Sequence, residues 1–341
     1  MLKSRRTFCK QGAAGALSLA TLPFFGGCHR RSGDEIVVYC GVDEPYASKI
    51  FADFEDQTGM RIAAQYDIES SKSVGLAGKA TAEKDNPRAD VWWGSEAFLS
   101  VRLVNDGILA PYRSPAAADI PAEFKDADGY WAGIGLRARV LAVGVDKKKP
   151  DFEITGIHDL ADPRLKDKCC LSIPTAGATG AHMAALYVNW GQDAARAFLH
   201  KLYDNKVQLL GGNAEVAQNV GDGTFMLGLT DSDDISDAIR RGGKETMVIP
   251  DQAGEGTLAM PTTVGLVKGA SHVEGAKKLI DFLLSKRSEQ KLIDLHFARW
   301  SVRSGTGNSI KAMKIDYQKA AEVYAQAQQE AIKILQGRPL P

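Results

Sequence analysis

The sequence lacks the motifs that would mark it as a hydrolase or a metalloenzyme. Its six histidines (His29, His158, His182, His200, His272 and His296) form no HExxH or equivalent pair, so a zinc enzyme has no support. There is no GxSxG, and hence no nucleophile elbow. The five cysteines contain no CxxC or CxxCH, which leaves cluster and haem attachment without a basis. An excess charge is also missing: 42 basic and 42 acidic side chains cancel over 341 residues, which argues against a nucleic-acid partner. Beyond residue 27 no hydrophobic run approaches membrane-spanning length.

What is present begins with an address. The stretch SRRTFCK, Ser4 through Lys10, is similar to the twin-arginine export signal and departs from it at Cys9, where that signal has leucine. An apolar, acid-free run follows over residues 12–27 and ends in Phe25-Gly26-Gly27-Cys28, resembling a bacterial lipoprotein cleavage site with Cys28 as the lipidated residue. Residues 1–27 are expected to be a signal peptide and 28–34 a tether. Without the first 27 residues the chain has 38 basic and 42 acidic side chains, a net charge of −4, a poor match to a phosphate backbone. Localisation in the periplasm or on the outer face of the cell envelope follows as the expectation. Cys40, Cys169 and Cys170 then remain, an odd number, which leaves at least one thiol outside any disulfide. Cys169-Cys170 reads either as a vicinal disulfide or as strand residues packing as small hydrophobes.

The composition, 44% hydrophobic and 25% charged, and the length suggest about two domains. From residue 35 strand-like and helix-like patterns alternate. Strands are expected at 35–40, 61–66 and 89–93, with helices at 46–57, 71–83 and 96–106. A long apolar strand at 139–145 precedes a second alternating block. That block has strands at 169–173, 207–210, 225–229 and 247–249, and helices at 179–190, 193–203 and 214–220. Another long strand at 262–267 is followed by helices near 273–284 and 288–295 and an amphipathic helix in the tail. Alternation predicts an α/β fold with a mostly parallel sheet, and two such blocks joined by two long strands suggest two lobes and a hinge. Ligands in such sheets sit beyond the carboxyl ends of strands.

Several loops there carry candidate residues. Asp43 and Glu44 stand where a helix begins, ahead of Pro45, and suit capping as well as binding. Trp92-Trp93-Gly94-Ser95-Glu96 places two tryptophans at a strand end; one is expected in the core and the other, Trp93, in the cleft. Arg137 and Arg139 lie two apart on a strand and share one face, so their forks suit an anion or a pair of acids on the opposite lobe. The small-residue loop Ser172 to Gly180, including Thr179, opens a helix and could seat an anion on backbone N–H groups. Asn213 follows Gly211-Gly212 before another helix. Asp231, Asp233 and Asp234 cluster after a strand, more acid than a cap requires, and suit a hard cation or an organic one.

Three segments carry a family resemblance: VVYCGVDEPYASKIFADFEDQTGM, ADVWWGSEAFLSVRLVNDGILAPY and GYWAGIGLRARVLAVGV. With DLADPRLKDK, GGNAEVAQNVGDGTFMLGLTDSDD and PTTVGLVKGASHVEGAKKLIDFLLSKRSEQKLI, they resemble the periplasmic ferric-ion-binding proteins of ABC importers over roughly residues 35–300. The resemblance implies the type II two-lobed periplasmic-binding-protein fold with a two-strand hinge. Residues 35–139 with 262–300 would form lobe 1, and 140–261 with 301–341 lobe 2. It implies Glu96 as a metal ligand and Arg137 and Arg139 as contacts to a synergistic anion. The sequence departs from the family where adjacent tyrosines would supply phenolates to iron; Leu229-Thr230-Asp231-Ser232-Asp233-Asp234 stands there instead.

The expected function is therefore a lipid-anchored, monomeric binding protein, not an enzyme, that delivers its solute to an ABC permease and its ATPase. The solute favoured is ferric iron, Fe3+, held by Glu96, Asp231 and Asp233, with Asp234 nearby. The alternative is an organic cation such as thiamine or a polyamine stacked on a tryptophan. A twin-arginine-exported enzyme and a sensor subunit are the remaining readings.

Overall fold

The computed structural model describes residues 35–67, 74–145, 149–175, 177–303 and 310–340. The expected signal peptide and tether, with Cys28, lie outside them. The first half-sheet is built as expected: β1 (Glu35–Cys40) pairs in parallel with β2 (Arg61–Tyr66) and with β3 (Val91–Gly94). Between them run α1 (Glu44–Thr58) and α2 (Val74–Ala82), and α3 (Ala97–Asn105) follows β3. Helix α1 presents Ala47, Ile50, Phe51 and Phe54 to the core and stops at Gly59, whose φ of 70° needs a residue without a Cβ.

The sheet is not mostly parallel. After the two-residue β4 (Leu109–Ala110), β5 runs from Ala132 to Gly144, beginning seven residues before the apolar run that marked it in the sequence. It lies antiparallel to β10 (Ala259–Val267) on one side and to β8 (Leu227–Asp231) on the other. Beside β8 come β6 (Cys169–Ser172) and β7 (Gln208–Leu210), parallel again, while β9 (Glu245–Val248) pairs with β5. The order is thus β2-β1-β3-β10-β5-β8-β6-β7. Parallel pairing holds inside each alternating block, where a helix brings the chain back to the same end. The two long strands instead cross from one block to the other and must oppose their neighbours. Near their midpoint the β5–β10 register shifts between Pro261 and Thr262.

Helices α4 (Gly177–Asn189), α5 (Gln192–Asp204), α6 (Asn213–Gly221) and α7 (Ser232–Arg240) serve the second block. Helices α8 (Val273–Leu283) and α9 (Lys286–Asp294) return to the first. The last helix, α10 (Tyr317–Leu335), packs on α4 and α5 and also on α3, where Tyr317 meets Phe98 at 5.4 Å and Trp131 at 5.9 Å between ring centroids. Among the described residues no helix is long and apolar enough to cross a membrane.

Cys169 and Cys170 are buried free thiols on β6. Neighbours in a strand point to opposite faces, and the two side chains enter different apolar clusters, so no vicinal disulfide forms. Burial pushes the Cys169 thiol up to about 12 and raises that of Cys170 as well.

Candidate functional site

Arg137 and Arg139, two apart on β5, both face the junction of β8 and α7. The strand register sets Arg139 opposite Asp231, the last residue of β8. Asp231 occupies the N-cap position of α7, yet its side chain makes no capping bond. It accepts from Arg139 Nη1 at 2.7 Å instead. Arg137 Nη1 lies 3.1 Å from Asp233 Oδ2 and 3.7 Å from Asp231 Oδ2. Its Nη2 donates to the Ser95 carbonyl at 2.9 Å, just before α3, and its guanidinium sits 4.9 Å from the Phe297 ring. Arg137 is 2% exposed and Arg139 fully buried. Burial works against the charge on Arg137, but Asp233, Asp231 and Asp43 outweigh it and raise its pKa above the ordinary arginine value.

Asn213 and Thr179 extend this network. Asn213 Oδ1 accepts from Arg139 Nη1 at 2.9 Å and from the Thr179 hydroxyl at 3.2 Å, and Asn213 Nδ2 donates to Asp231 Oδ2 at 3.3 Å. His182, one turn beyond Thr179 on α4, is 2% exposed; burial, with a further push from Arg139, lowers its pKa to about 3, so it is neutral. A cavity of about 20 Å³, room for a single water-sized occupant, lies beside the network. Its walls include Ser95, Arg137, Thr175, Gly212, Asn213 and Asp234. The starts of α4, α6 and α7, with Ser95 just before the cap of α3, therefore line one cavity, and each of these helices brings the positive end of its dipole to it.

The other sequence candidates are placed differently. Trp93 is a core residue: it is 0% exposed, donates its indole N–H to Thr262 at 3.1 Å and meets Phe51 edge-on at 5.4 Å. Trp92 is buried too, bonded to Ser100, so neither tryptophan lines the cavity. The strand is sandwiched on both faces, which its even apolarity left undetermined. Glu44 is exposed on the first turn of α1, away from the cavity walls. Asp43 caps that helix by position without a side-chain capping bond, and its charge is felt at Arg137.

Glu96 is the N-cap of α3, accepting from the backbone N–H groups of Phe98 and Leu99. The carboxylates close enough to share an ion among the described residues are Asp231, Asp233 and Asp234, with ligand atoms within 4.8 Å of one another; Glu96 is not in that group. Burial raises the Glu96 pKa from 4.5 to about 7, against the two N–H bonds and Arg137. An acid that holds its proton more tightly when folded stabilises the fold at low pH. The contribution is complete below about 4.5 and is lost as pH climbs through about 7. Glu96→Gln is expected to remove that loss, so that its stability relative to wild type rises between pH 4.5 and 7 in urea titrations. Parallel curves for the two proteins would show that Glu96 ionises normally.

Ser95 carried no sequence signal as a site residue. Its part is played by a backbone carbonyl, and only its place between β3 and a helix start could have suggested it.

Two crossing strands, parallel blocks on either side and a polar point where helix starts meet are matched by comparison with known proteins. Residues 49–323 fit the family model described as "Bacterial extracellular solute-binding protein". The chain belongs to that family. The solute-binding protein is 30% identical over 249 residues to a Salmonella typhi relative named "Putative 2-aminoethylphosphonate-binding periplasmic protein", covering 72% of this chain and 71% of the relative. It is 27% identical over 267 residues to iron uptake protein A1 of Synechocystis, covering 75% and 72%. Its fold matches the apo ferric ion-binding protein A of Pasteurella haemolytica with a TM-score of 0.78 at 21% identity, over 88% of this chain and 98% of the other. The solute-binding protein thus has the type II two-lobed fold. Its family supplies the solute-binding component of ABC importers, which work with a permease and an ATPase.

Proposed function

We propose that the solute is a small zwitterion with a phosphonate, phosphate or carboxylate group at one end and an ammonium at the other. The observation that carries this reading is the pairing of Asp231 with Arg139 and of Asp233 with Arg137. The acid cluster is largely neutralised from within, so a cation entering it meets two guanidinium groups held in place. An acid group at the helix starts near Gly177, Gly212 and Asn213 meets N–H donors and dipoles of the right sign. Its ammonium partner would face Asp234, which lines the cavity. The 2-aminoethylphosphonate relative supports the same class.

The two walls are, in this reading, residues 35–139 with 262–300 and residues 140–261 with 301–341. They part about β5 and β10 to admit a solute larger than the 20 Å³ cavity. Export by the twin-arginine route, an anchor at Cys28 and a monomeric state belong to the same reading and rest on the sequence.

Ferric iron is the second reading, favoured by the spacing of the three carboxylates and by the iron-uptake relative. It requires Arg137 and Arg139 to release Asp233 and Asp231. Calorimetry with 2-aminoethylphosphonate and with ferric citrate, beside metal analysis of the purified protein, separates the two. The expected result is a one-to-one complex with the aminophosphonate, weakened about tenfold or more by Asn213→Ala, and no stoichiometric metal. Bound iron near one per chain, with the aminophosphonate silent, would replace the zwitterion with iron.

A further inference from the structure

We infer that Arg137 sets the charge selectivity of the site: it is a built-in cation that closes the aspartate cluster to metal ions. The inference rests on the zwitterion reading and goes further, assigning the discrimination to one side chain. Three carboxylates whose oxygens can meet at one point, on a strand end and a helix start, are the donor set of a hard-cation site. Arg137 lies at that set. One Nη reaches Asp233 at 3.1 Å and stands 3.7 Å from Asp231. The other Nη is tied to the Ser95 carbonyl at 2.9 Å, and Phe297 lies against the guanidinium. Its Nε is buried and has no hydrogen-bond partner among the described residues, and the side chain lines the cavity.

Arg139 does not duplicate this role. It is wholly buried between Asp231, Asn213 and the Leu229 carbonyl and lies outside the cavity wall. Removing Arg139 would damage the scaffold, whereas removing Arg137 would take a guanidinium away from Asp233, beside Asp231 and Asp234. A guanidinium is permanently charged and fixed by its fork, so a metal ion cannot displace it by a proton shift. Lysine, a mobile point charge on a flexible stem, would hold the cluster less firmly.

Titration with Tb3+ alone, followed by calorimetry and lanthanide luminescence, tests the idea. The wild-type protein is expected to bind Tb3+ only weakly, and Arg137→Gln to bind one ion at least tenfold more tightly. Adding Asp233→Asn to Arg137→Gln should abolish the gain, and Arg137→Lys should fall between wild type and Arg137→Gln. Circular dichroism checks that each variant is folded. Should Arg137→Gln fail to fold, the wild type and Asp233→Asn still decide. Tight one-to-one Tb3+ binding by the wild type that Asp233→Asn removes would overturn the inference, as would a folded Arg137→Gln without the gain. Aminophosphonate binding by the wild type is read separately: its absence would fail the zwitterion reading while leaving the selectivity result intact.

Discussion

Asp231→Ala is expected to destabilise the protein by about 3–5 kcal/mol, the usual loss when one partner of a buried ion pair is removed. Arg139 is 0% exposed and its closest charged partner is Asp231, at 2.7 Å. Without that carboxylate its charge remains in a region where water cannot reach it. Asn213 still accepts one bond, which lessens the damage without supplying a charge. Arg137 loses its second carboxylate but keeps Asp233. Thermal unfolding should show a fall in Tm on the order of 10 °C. Asp231→Asn, which keeps an acceptor in place, should lose less. A loss below about 1 kcal/mol for Asp231→Ala would mean that Arg139 is stabilised by its hydrogen bonds alone and that the ion pair is incidental to the fold.

The second large effect is in acid. His182 is neutral in the folded protein, its pKa lowered from 6.5 to about 3 first by burial and then by Arg139. The unfolded chain binds a proton there below 6.5 that the folded chain refuses. Its contribution to stability is therefore present above 6.5 and is lost as pH falls toward 3, at up to about 1.4 kcal/mol per pH unit. Glu96 acts in the opposite direction between about 4.5 and 7. The two slopes offset each other from 4.5 to 6.5, and below 4.5 the histidine acts without that compensation. The difference in stability between wild type and His182→Gln isolates the histidine from every other titrating group. It should shift in favour of the variant as pH falls from 6.5 to 4. A pH-independent difference would show that His182 protonates in place, with its charge accepted inside α4.

Both predictions depend on contacts that the sequence could suggest but not join. The limits of β1 and β2 were readable to the residue, because β1 is an apolar run ending before a Gly-Val-Asp loop and β2 starts just after Gly59 and ends at Tyr66 before Asp67. Strand β5 was readable only over its apolar half. Gly133, Gly135 and Arg137 interrupt the first half, and that half is fixed by pairing with β10, a partner more than a hundred residues away in the chain. The site followed the same rule. Arg137 and Arg139 sharing a face, and acids gathering after a strand, are local facts. That Arg137 meets Asp233, 96 positions on, and Arg139 meets Asp231, 92 positions on, is a consequence of tertiary register. Bridging to acids was one of two open readings for the arginines, and the register brings those acids to them. Glu96, expected as a metal ligand from the resemblance, caps α3 instead of joining the aspartate cluster, a role its place just before a helix allows. Trp93 was not legible, since only the packing of Phe51 from α1 against it makes this face of β3 as dry as the other.

The position of α10 carries a thermodynamic consequence. Its largest face lies on α4, behind the second block of the sheet, while Tyr317 reaches across to Phe98 on α3 and to Trp131. If α10 stays with α4 when the walls separate, those aromatic rings are exposed to water even though the solute never touches them. Opening then raises the heat capacity, as any exposure of apolar surface does. Capture of a wholly polar solute would accordingly carry a negative heat-capacity change, and its enthalpy would grow more favourable with temperature. The temperature coefficient of binding would report on the C-terminal helix rather than on the solute.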